Sequence, residues 1–105
     1  MTVENDTRKA LIQYRIEQAK ETIEEVRLMI DHDKFRAAIN RIYYGIFYML
    51  LALGLKYHFE TSKHGQLIGW FNKTFIKDGT IARKYGKIAR EAFEVRNKSD
   101  YDTHV

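Results

Sequence analysis

The sequence predicts an all-α fold, an up-and-down bundle of four helices in a single domain over residues 1–105. Three observations carry this. Apolar residues recur at steps of three and four along most of the chain. Proline, which helix interiors exclude, is absent. The breaks between periodic segments are short, which favours antiparallel neighbours.

The first helix is expected from about Asp6 to Asp31, with Ile12, Ile16, Ala19, Ile23, Val26 and Ile30 on one stripe. Glu17, Glu21, Glu24 and Glu25 with Lys20 and Arg27 cover its other side. Asp33 is the expected N-cap of the second helix, about Lys34 to Lys56. That helix is apolar nearly all round, so it should be central, with Ile42, Ile46 and Phe47 buried, and Phe93 of the last helix buried with them. Ala37, Ala38 and Gly45 allow close helix approach. After a loop over Tyr57–Ser62, Ser62 is the expected cap of a third helix, Lys63 to Phe75, with Leu67, Ile68, Phe71 and Phe75 inward. Lys77-Asp78-Gly79-Thr80 reads as a turn. The fourth helix should run from Ile81 to about Ser99, leaving a tail over 100–105 that extends it or frays.

Composition narrows the function classes. Apolar residues at 45% and charged residues at 30% exclude a disordered chain. Without cysteine there are no disulfides and no thiolate zinc sites, which favours the cytoplasm. The longest apolar stretch, Ile42–Leu55, is shorter than the ~20 residues of a membrane span, so no membrane partner is expected. Residues 1–33 carry eight acidic and five basic groups, net −3, whereas residues 61–98 carry nine basic and three acidic, net +6. A basic half of this kind suits either a phosphate-bearing partner or a solvated surface.

Most chemical motifs are missing. Gly65, Gly69 and Gly79 make no phosphate loop. His32, His58, His64 and His104 include no i, i+4 pair, so no metal and no cofactor is expected. Tyr43, Tyr44, Phe47 and Tyr48 read as packing. What remains is the run from Arg96 to His104. On a continuing helix Arg96, Asp100 and His104 share one face. They form either an ordinary Arg–Asp pair or a site for RNA cleavage, with histidine as general base and arginine stabilising developing phosphorane charge. Asn40, an amide within an apolar helix, needs partners. It is expected to converge with Arg96 and Asp100 on one polar pocket, with Tyr101 and His104 at the rim.

The run Arg36-Ala37-Ala38-Ile39-Asn40-Arg41-Ile42-Tyr43-Tyr44-Gly45-Ile46-Phe47 resembles the second-helix signature of the HEPN family, small helical domains of higher eukaryotes and prokaryotes. Ser62-Lys63-His64-Gly65 is similar to the family's next element, and Arg96-Asn97 to the start of its arginine–polar–spacer–histidine motif. The version from Arg96 to Tyr101 resembles small stand-alone members commonly paired with minimal nucleotidyltransferases. The resemblance implies a two-fold homodimer and a nucleotidyltransferase partner, possible roles in a toxin–antitoxin pair, and binding of nucleotide or RNA through Asn40, Arg41, Asn97, Asp100 and Tyr101. Its alternative implication is a metal-independent endoribonuclease using Arg96 and His104. The spacer to His104 is longer than in the catalytic version, and Tyr101 stands where the shortest spacing would put the histidine. A simple helical nucleic-acid binder is the third reading.

Overall fold

The computed structural model describes residues 2–102, and side chains from 4 to 98. Four α-helices follow in order: α1 Thr2–Asp31, α2 Phe35–Lys56, α3 His64–Phe71 and α4 Arg83–Asp102. A π-helical turn, Asn72–Ile76, extends α3. The 30 residues of α1 amount to about 45 Å at ~1.5 Å per residue. They account for the 48 Å long axis of the molecule.

α2 is central, as its composition predicts. One face, with Ala38, Gly45 and Ala52 buried, packs on α1. There Ala19 and Thr22 of α1 are the buried partners, and the Thr22 methyl lies against Gly45. Thr22 returns its hydroxyl to the Gln18 carbonyl at 2.7 Å, which lets a polar residue sit in this seam. The seam therefore runs through Ala19 and Thr22, and the isoleucine stripe is only partly inside it: Ile23 and Ile30 are exposed. Ala37 is also exposed, so Ala38 and Gly45 alone serve the close approach.

The opposite face of α2 carries Tyr43, Phe47 and Leu50 into the core against Leu67, Ile68, Phe71 and Phe75. Ile46 and Phe93 are half-buried at its edge. Ile42 does not join them: it is 41% exposed. It lies one position before Tyr43, about 100° round the helix, and three before Gly45, so it turns away from both packed faces. Phe35, Ile39 and Met49 lie exposed on the same side.

The helix ends depart from expectation in a consistent way. Neither Asp33 nor Ser62 caps a helix. Lys34 and Lys63 occupy the N-cap positions without side-chain caps. The three-residue link from α1 to α2 needs a left-handed residue, and Asp33 supplies it at φ 59°. In the α2–α3 loop Thr61, not Ser62, accepts from the Lys63 amide, at 3.1 Å. α4 begins at Arg83, because Asp78 binds the Thr80 amide at 2.9 Å, Gly79 is left-handed at φ 85°, and the Ile81 amide goes back to Phe75. The third segment is not one uniform helix. Asn72 folds its side-chain amide onto the Ile68 carbonyl, and the Lys77 amide reaches the Asn72 carbonyl five residues back. The widened turn abuts α4 where Gly86 leaves room for Asn72 and Ile76.

At 22 residues α2 exceeds the apolar run read from the sequence, and by length and composition it is the described helix that could cross a membrane. Here it is flanked by α1 on one face and by α3 and α4 on the other.

Candidate functional site

Tyr43 and Tyr44 stand side by side on α2, pointing about 100° apart. Tyr43 enters the core at 1% exposure, while Tyr44 stays at the seam with α4. Arg96, on α4, lies over both rings, its Cζ 5.4 Å from the Tyr43 centroid and 5.6 Å from that of Tyr44. Its Nη2 donates to the Tyr44 hydroxyl at 3.1 Å and its Nη1 to Asn97 Oδ1 at 3.3 Å. Two rings set at 73° to each other and a phenol oxygen thus hold the guanidinium at this seam.

Arg41 reaches the same tyrosine from the other side, with Cζ 5.9 Å from the Tyr44 centroid. It also binds Glu25 of α1 at 3.1 Å and donates to the Thr22 hydroxyl at 3.4 Å, so it ties α2 to α1. Asn40 lies one turn before Tyr44 and is half-buried. The structure accordingly gathers Arg41, Arg96 and Asn97 around Tyr44. Asp100 and Tyr101 continue the backbone of α4. Their side chains, and all of His104, lie outside the described residues.

His64 is the residue that sequence reasoning passed over. It begins α3 half-buried, lies tilted against Phe47 with centroids 3.9 Å apart, and shares a hydrogen bond between Nδ1 and the Tyr43 hydroxyl. Burial lowers its pKa from the ordinary 6.5, and the charge of Arg96 lowers it further, so the imidazole is neutral at pH 7. Tyr43 moves the other way. Burial raises its phenol to about 12, against the pull of Arg96, and it stays protonated. A neutral imidazole oriented by a phenol near a guanidinium can accept a proton from a hydroxyl, or donate a hydrogen bond to a phosphate oxygen, brought beside it. Among the described residues no cluster of His, Cys, Asp and Glu is placed to hold a metal. The available signal for His64 was its position in Ser62-Lys63-His64-Gly65. Only the fold shows that this stretch faces Tyr43.

These features define an all-α bundle domain with an arginine–tyrosine cluster between its second and fourth helices. The HEPN domain family model matches residues 12–105, and the chain belongs to that family. It is 33% identical over 94 residues to a UPF0332 protein of Thermotoga maritima, covering 90% of this chain and 71% of that one. It is 34% identical over 92 residues to a Methanocaldococcus jannaschii protein named "Putative toxin MJ0605", covering 88% and 69%. A second protein of that organism, named "Putative toxin MJ0142", is 30% identical over 90 residues, covering 86% and 61%. No solved structure matches the chain significantly.

Proposed function

We propose that this chain is a toxin-like HEPN module that binds a phosphate group of RNA or nucleotide at Arg96 and works in the cytoplasm with a minimal nucleotidyltransferase partner. The observation that carries the reading is the Arg96 guanidinium, held against the rings of Tyr43 and Tyr44 and bonded to Asn97, with Arg41 against the same Tyr44 ring. Two named relatives lend the toxin side of the reading its support. A metal-independent endoribonuclease is the second reading, favoured by the neutral His64 imidazole next to that cation. RNA binding and cleavage by the purified protein, with and without chelator and beside Arg96→Ala, test both. Binding without cleavage supports the first reading, and chelator-resistant cleavage lost in Arg96→Ala supports the second. Binding and cleavage that survive Arg96→Ala refute the site.

The same reading includes a homodimer. Its support is the exposed stripe Phe35, Ile39, Ile42 and Met49, continued by an apolar trough of about 480 Å³ where Ile12 and Ile16 of α1 face Tyr85 and Ile88 of α4. Ile42 and Tyr44 point to nearly opposite sides of α2. A dimer built on this stripe leaves the Arg96 cluster open.

A further inference from the structure

His64 has a second neighbourhood. It also walls a cleft of about 600 Å³ between α1 and the α2–α3 loop, whose lining does not include Arg96. The floor is apolar, made of Phe47, Leu51, Leu55 and Phe59. The rim is polar: Arg15 from α1, then Glu60, Thr61 and Ser62 from the loop. This size lies within the ~300–1,000 Å³ typical of small-molecule sites, and a flat apolar floor under a few polar rim groups is their usual construction.

We propose that this cleft is a nucleoside subsite, taking the base and ribose that adjoin the phosphate held at Arg96. The inference rests on the phosphate reading of Arg96 and extends it to a neighbouring nucleotide. Continuity is the first argument. Tyr43 touches both parts, since Arg96 lies over its ring and His64 bonds its hydroxyl. Charge is the second. A nucleoside within a strand has a phosphate on each side; Arg15 supplies one guanidinium at the α1 rim, and Arg96 a second through the Tyr43 ring that His64 bonds. Arg15 spends one donor on Gln18 at 2.8 Å and has five in all. The acidic rim residue, Glu60, sits 3.9 Å from Arg8 on the outer side. The third argument is surface chemistry. Phe59, half-buried at the cleft, offers ring area for a base above the buried Phe47, and such stacking tolerates any base. The Thr61 hydroxyl is occupied, donating to Gln66 at 2.7 Å, which leaves Ser62 and His64 as the groups to meet base or ribose edges.

Two probes of equal charge separate a nucleoside site from phosphate attraction: a uridine trinucleotide and its abasic counterpart. The native protein should bind the trinucleotide at least tenfold more tightly than the abasic strand. Ser62→Trp, at an exposed loop position, fills the cleft. It should erase that preference, bringing the trinucleotide down to the affinity of the abasic strand. Arg15→Gln, in case the tryptophan disturbs the loop, should weaken the trinucleotide severalfold. Arg96→Ala should weaken both probes. Equal binding of the two probes by the native protein overturns the nucleoside subsite, as does a preference that survives both Ser62→Trp and Arg15→Gln. In either case a loss in Arg96→Ala leaves the phosphate reading standing. If Arg96→Ala leaves both probes unchanged, the phosphate reading fails and the subsite with it.

Discussion

Gly54→Ala opposes two effects of known sign. Gly54 lies in the last turns of α2, where helix propensity alone favours alanine by ~1 kcal/mol. An added Cβ, however, would stand 2.6 Å from the Phe59 carbonyl oxygen, inside any real contact distance. The loop cannot simply retreat, because the Phe59 amide donates to the Gly54 carbonyl at 2.8 Å and closes the helix end. Overpacking of this kind costs ~1–3 kcal/mol, and loss of the closing bond about 1 kcal/mol more. The net expectation is a destabilisation of roughly 1–3 kcal/mol. In a domain of this size that lowers Tm by roughly 4–20 °C. Gly69→Ala is the control: its Cβ would meet nothing within 4 Å, so it should gain up to ~1 kcal/mol. Urea unfolding of the three proteins measures the difference. If Gly54→Ala proves as stable as the native chain, the close pass of the loop over α2 is wrong, and so is the placement of Phe59 in the cleft.

Phe47→Ala should cost roughly 3–5 kcal/mol, since Phe47 touches both the core and His64, and a loss under ~1 kcal/mol in urea would make it peripheral. His64 should titrate below 6.5 in proton NMR, and Arg96→Ala should move it back up. Because the folded pKa is the lower one, the unfolded chain binds more protons in the window beneath 6.5. Stability should fall there as pH falls, and His64→Gln should flatten that slope in unfolding midpoints compared between pH 5 and 7. Light scattering should return twice the 12.5 kDa of one chain, and Ile42→Glu should return one. An unchanged dimer in that variant would move the interface elsewhere.

Periodicity made the bundle and its centre legible. Apolar residues all round α2 mean neighbours on several sides, whatever the loops do. It could not say which isoleucines of α1 lie in the seam, because that depends on where small residues let the backbones meet. Gly45 and Thr22 decide it, and Ile23 falls outside. Asp33 and Ser62 have good capping chemistry. They lose their caps because the connections demand a left-handed residue at one and a threonine turn at the other. In the site, Arg96 was legible as the cation that opens the run to His104. Its partners Tyr43 and Tyr44 read only as packing, and His64 is 32 residues away in the chain. Contacts across that separation belong to the fold and leave no local trace.

Among the described residues the backbone of α1 packs closely on α2 alone, and only the open apolar trough lies between it and α4. The longest element is therefore attached along a single line, mainly of small side chains, with Arg8 bound to the Leu55 carbonyl and Arg41 to Glu25 as its polar fasteners. Such an element can open as a unit while α2, α3 and α4 keep their shared aromatic core. Its amides should exchange with solvent ahead of those in α2. An opened α1 also uncovers the face of α2 that carries Ala38, Gly45 and Ala52, which a second chain's α1 fits equally well. The architecture thus has a built-in route to exchange of α1 between molecules, at a barrier set by one seam.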